Sequence, residues 1–189
     1  MKRNILLLLL IHLFAVTTLQ AQEVIRLGII GLDTSHSEAF IKLINGEAPA
    51  PDYAGFKIVA AYPYGSKTIE ASYNRIPKYT ETAKQHGVQI TSSVAELLKQ
   101  TDCILLETND GTLHLEQATE VIKSGKPLFI DKPVAARLSD VLAIYKLAEE
   151  KKVPLFSSSA LRFSSRNQEL RAGKGPEGKV LGADCYSPC

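Results

Sequence analysis

Three short stretches gather the residues with chemistry to offer. The first is Gly31-Leu32-Asp33-Thr34-Ser35-His36, which lies between an apolar run and a helical pattern. A turn that cradles a pyrophosphate needs one glycine to bend, a second for close backbone approach and a third for helix-on-strand packing. Only Gly31 meets that need, and Asp33 would set a carboxylate where phosphate oxygens lie, a like-charge contact. Alternatively, Asp33, Thr34 or Ser35 caps the following helix by accepting from its free N–H groups. The second stretch is Thr108-Asn109 with His114 a little further on, and the third is Asp131-Lys132-Pro133. A lysine such as Lys132 can orient a hydroxyl and favour developing alkoxide charge, or it can be a solvated strand-end residue with Pro133 as a stop. His114 can serve a ligand or simply open a helix. Asp33, His36 and His114 show no recognised metal-ligand spacing, so no metal is expected.

The elements that must position these residues alternate along the chain. Val24 to Ile30 is a β-branched run ending at Gly31, and Ser37 to Ile44 sets Ala39, Phe40, Leu43 and Ile44 at helical spacing before Gly46. Residues 47–55 form a Pro/Gly/Ala loop, Phe56 to Tyr62 a second strand, and Pro63 to Arg75 a polar insertion. Pro77 suits the first turn of a helix that closes at Gly87, and Val88 to Thr91 makes a third strand. Ser93 and Glu96 match a capping box ahead of Leu97 and Leu98. Cys103 to Glu107 reads as a buried strand, Thr108 to Thr112 as a loop, and His114 to Lys123 as a helix closed by Gly125. Pro127 to Ile130 is a fifth strand, Ser139 caps a long helix through Lys151, and Val153 to Ser157 is a sixth strand.

Strands separated by helices imply parallel pairing through right-handed crossovers. The expected fold is α/β: a doubly wound, mostly parallel, Rossmann-like sheet of about six strands with helices on both faces. Ligands of such sheets lie beyond the carboxyl ends of the strands, where their order reverses, and all three stretches follow strands. The segment after the second strand, Tyr62-Pro63-Tyr64-Gly65-Ser66-Lys67, offers no acidic ribose holder, and Lys67 is its one charge.

Lys2 and Arg3 precede the apolar run Ile5 to Val16, and a polar segment ends in Leu19-Gln20-Ala21. That is the layout of a secretory signal peptide over residues 1–21, with the mature chain beginning near Gln22. The run is too short to span a hydrocarbon core of about 30 Å. Lys2-Arg3-Asn4 lacks a twin-arginine pair, so the expected route is Sec-type export to a periplasmic or secreted location. Roughly 170 residues then remain, enough for one domain. Lys2 and Arg3 account for the formal charge of +2, which leaves no field to attract nucleic acid or, after cleavage, a membrane. A small molecule is the expected partner, and a homo-oligomer stays open. Cys103 reads as core, and Cys185 and Cys189 are free to pair in an oxidising compartment.

Taken in order, Thr108-Asn109, His114, Gly125-Lys126-Pro127 and Asp131-Lys132-Pro133-Val134 resemble the Gfo/Idh/MocA oxidoreductases. That family's nucleotide domain carries a Thr-Pro-Asn loop, a histidine opening the next helix, a Gly-Lys pair before a strand and Glu-Lys-Pro at that strand's end. The resemblance covers about residues 24 to 165, including Arg162-Phe163. It implies a Rossmann domain over residues 22–165 that binds NAD or NADP, and the start of a substrate domain over 166–189. It also implies hydride transfer on a sugar-like or polyol carbon, with the proton-transferring histidine of that second domain lying beyond Cys189. Thr108 and Asn109 would lie along the cofactor, His114 would open the helix beneath it, and Lys132 would approach the nicotinamide and the substrate carbinol. Gly31, Leu32, Asp33, Thr34, Ser35, His36, Asp131 and Pro133 complete the implied cofactor contacts. The chain departs from the family at Asp33 and His36, which replace glycines, at the missing ribose selector, and at Asp131, which replaces glutamate. The rival expectation is an exported, non-catalytic module of the same fold that has lost the dinucleotide. It would hold a carbohydrate or another small ligand near Asp33, His36 and Tyr64.

Overall fold

Short runs of β-branched and aliphatic residues that are apolar on both faces become the inner strands of a parallel sheet. In the computed structural model, which describes residues 23–175, 181, 182 and 184, those runs are β1 (Ile25–Ile30), β2 (Phe56–Tyr62), β4 (Cys103–Leu106) and β5 (Leu128–Asp131). The shorter β3 (Gln89–Ile90) and β6 (Leu155–Ser158) form the edges. The expected signal segment, Gln22, Cys185 and Cys189 lie outside the described residues. The strand order is β3-β2-β1-β4-β5-β6, with every pair parallel, so the expected doubly wound sheet is borne out. Its order reverses between β1 and β4, which opens a crevice at their carboxyl ends.

The helices between strands are α1 (Ser35–Asn45), α2 (Glu70–Tyr73), α3 (Ile76–Gln85), α4 (Val94–Leu98), α5 (His114–Lys123), α6 (Leu138–Lys151) and α7 (Ser165–Arg171). The alternation of side chains along each strand divides the core in two. Leu27, Ile29, Ile58 and Ala61 pack with Ile41 of α1 and Tyr79 and Ala83 of α3 on one face. On the other face, Ile30, Ile104, Leu106, Leu128 and Ile130 meet Leu97 of α4, Val121 and Ile122 of α5, and Ile144 of α6. Each fully buried aliphatic side chain stabilises the fold by about 1.5–3 kcal/mol.

Asn45, the last residue of α1, ties that helix to β2. Its amide nitrogen donates to the Ile58 and His86 carbonyls at 2.7 and 3.1 Å, and its oxygen accepts from the Ile58 N–H at 2.9 Å. Asn45→Ala strands these half-buried backbone groups and is expected to destabilise the chain by about 1–3 kcal/mol. A lower urea midpoint with an unchanged m-value checks this.

Some local expectations are corrected. Ser139 does not cap α6, which begins one residue earlier after Arg137 with no side-chain cap. The Ser139 hydroxyl instead donates to the Asp140 carboxylate at 3.2 Å, the more strongly attracting acceptor beside it. The capping box is half formed: Ser93 Oγ accepts from the Glu96 N–H at 3.1 Å, but the Glu96 carboxylate turns to the Ser92 N–H and hydroxyl, each at 2.8 Å. The polar insertion holds α2, and Cys103 is only partly buried at the margin of one core.

Candidate functional site

At the β1–α1 turn, Gly31 adopts a φ of 92°, and its N–H donates to the Tyr62 carbonyl at 2.9 Å. Of the three capping candidates, Thr34 takes the role: its hydroxyl accepts from the Ser37 N–H at 3.3 Å. Asp33 turns away from the helix and is fully buried. Its carboxylate accepts from the Ser66 N–H at 3.2 Å and the Asn109 N–H at 3.1 Å, so one side chain ties the turn to the loops after β2 and β4. Burial pushes the Asp33 carboxyl above its usual range, and those two N–H groups partly offset the shift. Gly65 packs directly on this carboxylate, where a Cβ would collide with it.

The same two loops are also bonded to each other. Ser66 Oγ donates to the Asp110 carboxylate at 2.9 Å, and the Asn109 amide donates to Ser72 Oγ at 2.7 Å. Beside them Tyr62 and Tyr64 stack with ring centroids 5.7 Å apart, and Lys67 Nζ lies 5.1 Å from the Tyr64 centroid.

The ends of β4 and β5 carry the remaining chemistry. His114, the first residue of α5, is buried with Nε2 2.6 Å from the Thr108 carbonyl and Nδ1 3.0 Å from the Val134 carbonyl, which joins the loops after β4 and β5. His36, in the first turn of α1, places Nδ1 2.7 Å from Asp131 Oδ2 at the end of β5. Lys132 Nζ lies 3.8 Å from the same oxygen with its side chain 53% exposed, and the Lys132–Pro133 peptide is cis. Glu107, immediately after β4, is fully buried, and neither carboxylate oxygen has a hydrogen-bond partner. Burial first, and the nearby Asp131 charge second, push its carboxyl up to about 8. Thr108 Oγ1 is buried and unpartnered in the same way.

Asp33 and Asn109 thus tie the loops after β1 and β4 together, with Thr108 and His114 on the β4 side, while His36, Asp131 and Lys132 meet between α1 and the end of β5. Asp33, His36 and His114 do not form a metal-ligand group. Among the described residues, the three-residue group within ligand reach of one another is His36, Glu107 and Asp131. Sequence reasoning left Glu107 without a role. The available signal was a charged residue closing the otherwise apolar strand Cys-Ile-Leu-Leu.

The model of the Gfo/Idh/MocA family, described as an oxidoreductase family with an NAD-binding Rossmann fold, matches residues 25–159. The chain belongs to this family. No curated protein sequence matches it. Among solved structures, the WlbA dehydrogenase of Chromobacterium violaceum, in complex with NADH and UDP-GlcNAcA, is 20% identical with a TM-score of 0.64 over 82% of this chain and 40% of its own. The WlbA dehydrogenase of Bordetella pertussis, with the same two ligands, is 24% identical with a TM-score of 0.63 over 80% and 42%. Biliverdin reductase of Synechocystis, with biliverdin and NADP+, is 20% identical with a TM-score of 0.58 over 78% and 42%. At these identities the likeness is one of fold. The chain spans about two fifths of the length of these relatives.

The Gfo/Idh/MocA fold implies a nicotinamide dinucleotide across the β1/β4 crevice, and the residues present fit one. Gly31 keeps the turn tight against Thr108, where a Cβ would strike the Thr108 backbone. Asp33, the expected like-charge obstacle, is drawn into the loop junction and held by two N–H donors. Thr108 Oγ1, on the loop after β4, is a buried polar atom that no described group satisfies.

Proposed function

We propose that this chain is the nucleotide-binding half of an NAD(P)-dependent oxidoreductase acting on a sugar-like or polyol carbon. The observation that carries this reading is Lys132, half exposed beside Asp131 at the carboxyl end of β5, one strand from the strand-order switch of an NAD-binding family fold. A bound nicotinamide supplies the hydride donor or acceptor. The Lys132 ammonium orients the substrate hydroxyl and stabilises oxygen charge as it develops, and Asp131 keeps the ammonium near the crevice. Thr108 and Asn109 line the dinucleotide, and His114 holds their loop against Val134. In the same reading residues 1–21 are an export signal, 22–165 the nucleotide domain, and 166–189 the beginning of the substrate domain that completes the site.

Titrating NADH and NADPH fluorescence on the full-length protein is expected to give saturable binding. Lys132→Ala should lower turnover about 10²–10³-fold while leaving cofactor affinity nearly unchanged. Absence of saturable binding at millimolar cofactor overturns the proposal.

One observation favours a second reading, a binding module without dinucleotide. The direct bonds from Ser66 to Asp110 and from Asn109 to Ser72 close the segments after β2 and β4 on each other, beside Tyr62, Tyr64 and Lys67, side chains of the kind that hold a carbohydrate. Tyr64→Ala separates the two. On the oxidoreductase reading saturable NADH binding persists; on the binding reading carbohydrate affinity falls and neither the parent nor the variant binds NADH.

A further inference from the structure

A buried carboxylate with no donor on either oxygen is costly to keep, so it points to a proton or a cation that balances it. Glu107 is such a group, and it does not stand alone. One ligand atom each from His36, Glu107 and Asp131 lies within 4.8 Å of the other two. The three come from different elements that the sheet holds in fixed register. Glu107 N–H donates to the Ile30 carbonyl at 2.8 Å, Asp131 is paired with Ser158 of β6, and His36 rides on the capped first turn of α1.

We propose that His36 Nδ1, the Glu107 carboxylate and Asp131 Oδ2 form a binding site for one divalent transition-metal ion of the zinc or manganese class. Two carboxylates offer the charge that a dication neutralises, and the mixed imidazole-nitrogen and carboxylate-oxygen donors suit borderline ions rather than calcium. Ligands at about 2.0–2.2 Å from such an ion stand about 3.0–3.5 Å apart. His36 and Asp131 already touch at 2.7 Å and all three ligand atoms lie within 4.8 Å of one another, so small rotamer shifts bring them to that spacing. The His36–Asp131 hydrogen bond accounts for those two residues without a metal, but it leaves Glu107 unexplained. His36 and Asp131 also line a groove of about 890 Å³ beside Phe40, Phe129 and Phe156, from which the remaining coordination positions are reached. Lys132, half exposed, is free to swing its ammonium into solvent when the ion enters. The observations behind it, the unpartnered Glu107 and its closeness to His36 and Asp131, do not require a dinucleotide.

The test is isothermal titration of metal-free, untagged full chain with ZnCl2 and MnCl2, joined by the visible spectrum of the cobalt-loaded chain. One ion per chain is expected, with and without NADH. Affinity should fall about 100-fold or more in Glu107→Gln and in His36→Ala, and hold in His86→Ala. Glu107→Gln keeps the shape of the neutral acid and should stay folded by circular dichroism, so its loss of binding is not a loss of structure. No saturable binding up to about 1 mM ion, or binding that Glu107→Gln leaves intact, overturns the proposal.

Discussion

Gly31→Ala is expected to destabilise the chain by about 3–5 kcal/mol, enough to unfold most of a marginally stable domain. Two costs add at this position. At a φ of 92° an alanine pays for a backbone conformation that L side chains rarely adopt, about 1–2 kcal/mol. Its Cβ would also sit 2.5–2.6 Å from the Thr108 N, Cα and Oγ1. Backbone atoms cannot yield as a flexible side chain does, so β1 and β4 would have to separate at the crevice or the turn would have to rebuild. Gly87→Ala is the matched control: its φ is 75°, but no heavy atom lies within 4 Å of the added Cβ. That variant should lose only the conformational share, about 1 kcal/mol. Urea unfolding of the two variants side by side measures the difference. Equal losses would mean that the contact with Thr108 carries no energy. Because the displaced residue is Thr108, any surviving folded Gly31→Ala should also lose dinucleotide affinity.

The sheet was legible because its signals are local. Short apolar runs mark the inner strands, and the difference between Ile29 on one core and Ile30 on the other is simple alternation. The helix spacing between strands gave the parallel order. The site was legible only as a list of strand-end residues. What those residues do depends on partners far along the chain: Asp33 reaches Asn109 across 76 positions and Ser66 across 33, and His36 meets Asp131 across 95. Whether an aspartate in a tight turn faces a ligand, caps a helix or locks two loops is decided by which loops the sheet brings beside it. Composition around Asp33 is equally compatible with all three. Glu107 shows the same limit from the other side. A charge at the end of an apolar strand is visible in sequence, but its lack of any partner appears only once β4 lies between β1 and β5.

In metal-free buffer, the stability of the chain should fall as pH rises from about 4.5 to about 8, and Glu107→Gln should abolish most of that slope. Glu107 titrates near the ordinary glutamate value of 4.5 when unfolded, and burial beside Asp131 raises it to about 8 in the fold. Between those values the folded chain keeps a proton that the unfolded chain has lost. Unfolding therefore releases a proton, and by linkage stability declines with each pH unit by about 1.4 kcal/mol at most. Below about 4.5 the carboxyl is neutral in both states and its contribution is fully present; above about 8 it is ionised in both and the loss is complete. Across the window the accumulated loss is about 3–5 kcal/mol. Glutamine keeps the shape and the polar burial of the neutral acid but cannot ionise. The variant and the parent should thus be nearly equally stable at pH 4, and the variant more stable by that amount at pH 8.5. Urea midpoints across the pH range check this, and a parent curve that runs parallel to the Glu107→Gln curve would show that Glu107 is already ionised and compensated in the fold. Added zinc should flatten the parent's slope by displacing the same proton and leave the variant's unchanged, which joins this titration to the proposed metal site through one side chain.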